Sequence, residues 1–336
     1  MRGRPRADAP DSVRCTTKHA PPAAANSTAV FAAARPRSYD QGTKTRALLL
    51  GISTGRDAEG VSILASYFEE YCARILRGGA VGVIASPVLV QHDAIHSASY
   101  VPFEHRNPGA RLALVSLTPG HTHVRLAAEL TARLLATQRP GRAIQRENKR
   151  EVELGGALIR PNLIRMLDHF QLPRLLGIAA AASLWGEAFD LLQPLALLPH
   201  ATTRRGQVFD GALAALLDVP MLRAIYDEHF LGLLPRLPVD MLYLGLGRTA
   251  WAGLLHAAAL GLLPRRQLLG MLPVPARAGN MVRYFLREIH AHELSGNDPV
   301  RHRLPWLDAA RAELEAAISA RLAGQAAPRG TLATAG

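Results

Sequence analysis

Three short apolar runs each end in a glycine- or proline-containing turn and pass into a helical period. This recurrence constrains the fold more than any other feature of the chain. Residues 111–117 (RLALVSL) stop at Thr118-Pro119-Gly120, ahead of a helical stretch from about Thr122 to Ala136. Residues 240–246 (DMLYLGL) are broken at Gly245 and Gly247 and lead through Arg248 into a helix from Thr249 to Leu262. Residues 267–272 end in Pro273-Val274-Pro275-Ala276-Arg277. A fourth run, 191–197, reads as another buried strand. Strands alternating with helices predict an α/β fold, a short parallel sheet with helices on both faces. In such a sheet ligands bind outside the carboxyl ends of the strands. Each strand end alone is equally an ordinary βα turn; their shared placement makes them a candidate site.

Further helices are expected at 61–77, 159–170, 221–234, 280–291 and 305–323, with a short strand at 47–53 and a charged loop over 138–152. Residues 1–46 are rich in Ala, Pro, Arg, Ser and Thr without a period, which predicts a disordered extension dispensable for folding. Residues 47–323 then form one domain, and 324–336 a flexible tail.

The formal net charge is +12, and arginine supplies nearly all of it, since lysine occurs only at Lys18, Lys44 and Lys149. About half of the excess lies in the first 46 residues. A basic surface suits a polyanion such as DNA, and arginine-favouring codons give the same excess; composition leaves both open. No apolar run is long enough to span a membrane, and no apolar segment follows Arg2, Arg4 and Arg6 to make a secretory signal. The two cysteines, Cys15 and Cys72, fit a reducing compartment and cannot build a four-cysteine zinc or iron–sulfur site. His92 and His96 have the spacing of a metal pair but no third ligand. Gly51 to Gly55 lacks both the dinucleotide fingerprint and a phosphate-loop lysine. These features predict a cytoplasmic protein with no membrane, metal or cofactor.

Several segments, in order, resemble the uracil-DNA glycosylase superfamily, and within it a bacterial branch with a Leu-Thr-Pro-Gly first motif. They begin at residues 100–108 (YVPFEHRNP) and continue through 114–122 (LVSLTPGHT), 160–169 (RPNLIRMLDH), Leu175 to Ile178 and Ser183 to Trp185. Tyr243 to Gly247, Tyr284 to Leu286 and Leu307 to Arg311 complete a span of about 66–323. The resemblance implies a three-layer α/β/α sandwich and a metal-free, monomeric, nucleoid-associated hydrolase that cuts the N-glycosidic bond to a flipped-out base in DNA.

In relatives the first motif positions water and backbone donors at the sugar and base. Thr118 stands here where they carry Asn, Asp, Glu or an apolar residue; its hydroxyl can orient water but is no general base at neutral pH. The second motif departs further. The family pattern is His-Pro-Ser-Gly-Ala-Asn, whereas this chain has Pro273-Val274-Pro275-Ala276-Arg277-Ala278-Gly279-Asn280. The position of the histidine that donates to the departing base holds Pro273 or Val274. His121 and His123, just after the first motif, are the candidates to replace it. Residues 193–199 (QPLALLP) also lack the polar groups of the matching family strand end. Base and DNA contacts are expected from Gly245, Gly247, Arg248, Pro273, Val274, Pro275, Arg277 and Asn280, with a diverged DNA-binding protein of little activity as the alternative.

Overall fold

The structure, a computed structural model, describes residues 59–276 and 279–326. The expectations for 1–46, the strand at 47–53, Arg277 and most of the tail lie outside them. The described residues open with α1 (Glu59–Ala85), broken at Gly79, and a pair of short strands, β1 (Leu89–His92) and β2 (His96–Ser99). There follow β3 (Leu112–Ser116), α2 (His121–Ala136), α3 (Gly141–Glu151), α4 (Ile159–His169) and α5 (Leu172–Leu176). Next come β4 (Leu192–Ala196), β5 (Ala201–Arg204), β6 (Gln207–Val208), α6 (Leu213–Leu217) and α7 (Pro220–Ile225). The chain ends with β7 (Leu242–Leu246), α8 (Arg248–Ala259), β8 (Leu268–Leu272), α9 (Asn280–Phe285) and α10 (Leu304–Ala326).

The four strands expected of the core form one parallel sheet in the order β4-β3-β7-β8. Its strands are buried on both faces, which is why they read as continuous apolar runs. Leu112, Leu114, Leu244 and Leu246 point to one side and pack with Leu163, Met166 and Phe285 from α4 and α9 and Leu307 and Leu314 from α10. Ala113, Val115 and Tyr243 point to the other and pack with Leu216, Leu222, Tyr226 and Leu254. Helices cover both faces, so the α/β/α layering expected of the sequence is present.

At the β4 edge, Pro194 sits inside a strand that pairs on one side only, where a missing N–H breaks no ladder. Side chains cover the far side. Asn107 Nδ2 donates to the carbonyls of Leu192 (2.6 Å) and Phe189 (3.0 Å), and Gln193 Nε2 donates to that of Pro194 (3.1 Å). The Asn107 backbone N–H is itself held by Gln193 Oε1 at 2.9 Å.

Three expectations are corrected. Residues 141–151, read as a charged loop, are the helix α3. Its buried residues are Gly141, Ile144, Asn148 and Lys149, so only one large apolar side chain marks the inward face and the helical period is invisible in hydrophobicity. The helix expected at 221–234 changes character along its length, from α7 to a π turn at Tyr226–Phe230 and a 3-10 turn at Leu231–Arg236 that contains Pro235. The helix expected to reach 291 stops at Phe285, and Arg287 turns the chain with φ 59°. A second sheet, antiparallel in the order β1-β2-β5-β6, was not anticipated. Its strands are short and polar and alternate too briefly to be read.

Candidate functional site

A cavity of about 570 Å³ opens at the carboxyl ends of β3, β7 and β8. The end of β3 supplies Thr118, Pro119, Gly120 and His123; that of β7 supplies Gly247 and Arg248; that of β8 supplies Val274 and Pro275. The first and second motifs and the glycine turn thus share one wall-to-wall space, as their position at strand ends predicted.

Local geometry explains the glycines. Gly245 lies where any Cβ would stand 2.9 Å from the Trp251 backbone nitrogen, so α8 can begin immediately after β7. Gly247 has φ 93°, the left-handed region, and a Cβ there would stand 2.5 Å from Val274 Cγ2. Its N–H donates to the Leu272 carbonyl at 2.8 Å, which ties the β7 turn to the end of β8. The second-motif loop is also held from below: Asn162 Nδ2 of α4 donates to the Pro275 carbonyl at 3.0 Å.

Thr118 is tied into the fold. Its hydroxyl donates to the His200 carbonyl (2.9 Å) and accepts the Thr202 N–H (3.1 Å), joining the first motif to β5. A threonine hydroxyl has one proton, so only a single acceptor lone pair is left for a ligand or water. The two histidines separate clearly. His121 is exposed and lies off the cavity wall, whereas His123 forms part of it. The Gly120 N–H donates to His123 Nδ1 at 3.1 Å. A backbone amide can only donate, so Nδ1 is the unprotonated nitrogen and the proton sits on Nε2. Burial pushes the imidazole below its ordinary range, favouring this neutral form. His123 therefore presents a fixed N–H donor.

Of the remaining expected residues, Gly245 and Pro273 are buried behind the wall and support it. Asn280 is turned away, with Nδ2 donating to Asp298 Oδ2 at 2.7 Å. Arg277 lies outside the described residues. Leu195 and Leu198, from the altered β4 segment, are in the core.

Several wall residues escaped the sequence reading. Phe103, Phe209 and Trp306 bring three aromatic rings to it. Asp210 is an exposed wall carboxylate with no ion pair or hydrogen bond among the described residues. Its only sequence signal is an Asp-Gly turn after β6. Arg303 joins Arg248 on the wall, and neither has a carboxylate partner among the described residues. Glu153 completes the wall from the end of α3 as a buried carboxylate bonded to Lys149.

Among the described residues no helix is long and apolar enough to cross a membrane, and no group of three or more His, Cys, Asp or Glu is placed to hold a metal ion. His92 and His96 fall on two antiparallel strands rather than one helix, and His96 instead bonds Asp93 at 3.0 Å.

No protein-family model matches the chain, and no solved structure matches it. It is similar to YoxB, an uncharacterized protein of Bacillus subtilis strain 168, at 28% identity over 144 residues. That stretch is 43% of this chain and spans 56% of YoxB.

Proposed function

We propose that this chain is a uracil-DNA glycosylase-like protein, which hydrolyses the N-glycosidic bond of uracil or a related damaged base in DNA. The observation that carries the reading is the meeting of Thr118-Pro119-Gly120, Gly247-Arg248 and Val274-Pro275 around a single cavity at the strand ends. These are the segments whose resemblance suggested the activity.

The chemistry available fits. Arg248 and Arg303 have no carboxylate partner among the described residues and can meet backbone phosphates. Phe103, Phe209 and Trp306 offer ring faces to a base taken out of the stack. As the C1′–N bond breaks, its electron pair passes to the base, and charge grows on the base oxygens. The His123 Nε2–H is a preorganised donor for that charge in a largely apolar space. Water adds to C1′, and Asp210 is the carboxylate free to accept its proton. The Val274 side chain, apolar and on the wall, supplies no donor, so His123, just after the first motif, takes that role.

A second reading has its own observation. The second-motif wall is apolar and the Thr118 proton is taken by His200, as in a protein that holds an extruded base without cutting it.

Single-turnover release of uracil from single- and double-stranded oligonucleotides separates the two. Release is expected, falling on the order of 10²-fold or more in His123→Ala and little in His121→Ala. DNA binding without release selects the second reading. Neither release nor binding rejects both.

A further inference from the structure

Behind the cavity lies a buried ion pair. Lys149 Nζ donates to Glu153 Oε2 at 2.7 Å and to the Phe103 carbonyl at 2.6 Å, and both side chains are under a tenth exposed. Desolvating two charges usually offsets their attraction, so such a pair is often matched in stability by apolar residues. Lys149 is the sole lysine among the described residues of a chain that otherwise uses arginine. A compact ammonium suits this narrow place between a carbonyl and a carboxylate. The backbone here is also strained: Leu154, beside Glu153 and on the same wall, is held at φ 60°, a region leucine rarely occupies.

The consequence lies in the carboxylate's other oxygen. Glu153 Oε1 has no hydrogen-bond partner among the described residues, and Glu153 belongs to the cavity wall. Burial pushes the Glu153 carboxyl above its ordinary range and the Lys149 ammonium opposes that shift; as the carboxylate of this ion pair it only accepts hydrogen bonds. His123 on the same wall only donates through Nε2. We propose that Glu153 is a specificity-determining residue that accepts a ring N–H of the ligand, while His123 donates to the adjacent carbonyl. The cavity then selects a lactam- or imide-type base. This rests on the proposed glycosylase reading only for the ligand being a nucleobase.

The test is the binding of free uracil and of 3-methyluracil, whose ring N–H is blocked, by calorimetry on the full chain. Wild type is expected to prefer uracil by about tenfold or more, the scale of a hydrogen bond to a charged group. In Glu153→Gln the amide oxygen turns to Lys149 and its NH2 faces the cavity, donor against donor, so the preference is lost. Should that variant fail to fold with Lys149 unpaired, Lys149→Met/Glu153→Leu replaces the pair by apolar residues and is expected to fold and to lose the preference too. No saturable uracil binding, equal binding of both compounds by wild type, or an unchanged preference in the folded variant overturns the inference. Excision of uracil from DNA with a preference indifferent to Glu153 rejects this inference alone. Glu153-dependent uracil binding without excision rejects the glycosylase reading and leaves this one standing.

Discussion

His200 has both ring nitrogens buried without a hydrogen-bond partner, while its backbone carbonyl anchors the Thr118 hydroxyl. Burial, with His229 in edge contact at 5.0 Å, pushes the imidazole down from 6.5 to about 3. The sign of the effect follows. Between these values the unfolded chain binds a proton at His200 that the native state refuses, so stability falls as pH drops through the window. The slope approaches about 1.4 kcal/mol per pH unit for one such group. His200→Phe keeps an aromatic ring and cannot take up the proton. Urea unfolding measured from pH 7 to pH 4 is expected to show a shallower loss in the variant than in wild type. Parallel curves would mean that His200 is not held neutral. Because Thr118 bonds the backbone of His200, the first motif should loosen along this same acid limb.

At the scale of elements, the join between β7 and α8 is the least replaceable in the site. Gly247→Ala places a side chain at φ 93° and 2.5 Å from Val274 Cγ2. A cost of roughly 1–3 kcal/mol in unfolding free energy is expected. Gly247→Ala/Val274→Ala should recover the part due to the clash and not the part due to the backbone; full recovery would show that strain contributes nothing. This join was legible in the sequence because a glycine flanked by an apolar strand and a helix leaves few alternatives. The parallel sheet was legible for a similar reason, its strands being buried on both faces and apolar apart from Gln193 and Ser116. What escaped was whatever is polar inside. Helix α3 turns Asn148 and Lys149 inward, where Asn148 Nδ2 bonds Thr131 Oγ1 of α2 at 2.9 Å. A reading based on apolar period cannot see a face made of amide and ammonium. Glu153 was lost with it, since its meaning depends on Lys149 one turn earlier. His121 and His123 were indistinguishable by spacing, and burial against the cavity together with the Gly120 N–H separates them.

Across the molecule, the charge that composition left ambiguous has a partial location. Arg248 and Arg303 on the cavity wall have no acidic partner among the described residues, whereas Arg165, Arg287 and Arg311 on the helical side are paired with Glu288, Glu315 and Asp308. If Arg248 neutralises a phosphate, Arg248→Ala should weaken DNA binding and reduce the slope of log affinity against log salt by about one. Fluorescence anisotropy over a salt series measures this, and an unchanged slope would leave Arg248 as solvated charge. The β4 edge carries a different consequence. A sheet margin with free amides and carbonyls is a template on which a second chain can lay a strand and begin a fibril. Here Pro194 withholds an amide, and Asn107 and Gln193 occupy carbonyls that a foreign strand would need. The same residues that fasten residues 105–107 to β4 thereby keep one copy of the protein from recruiting another into β-aggregates, a protection built from a single proline and two carboxamides.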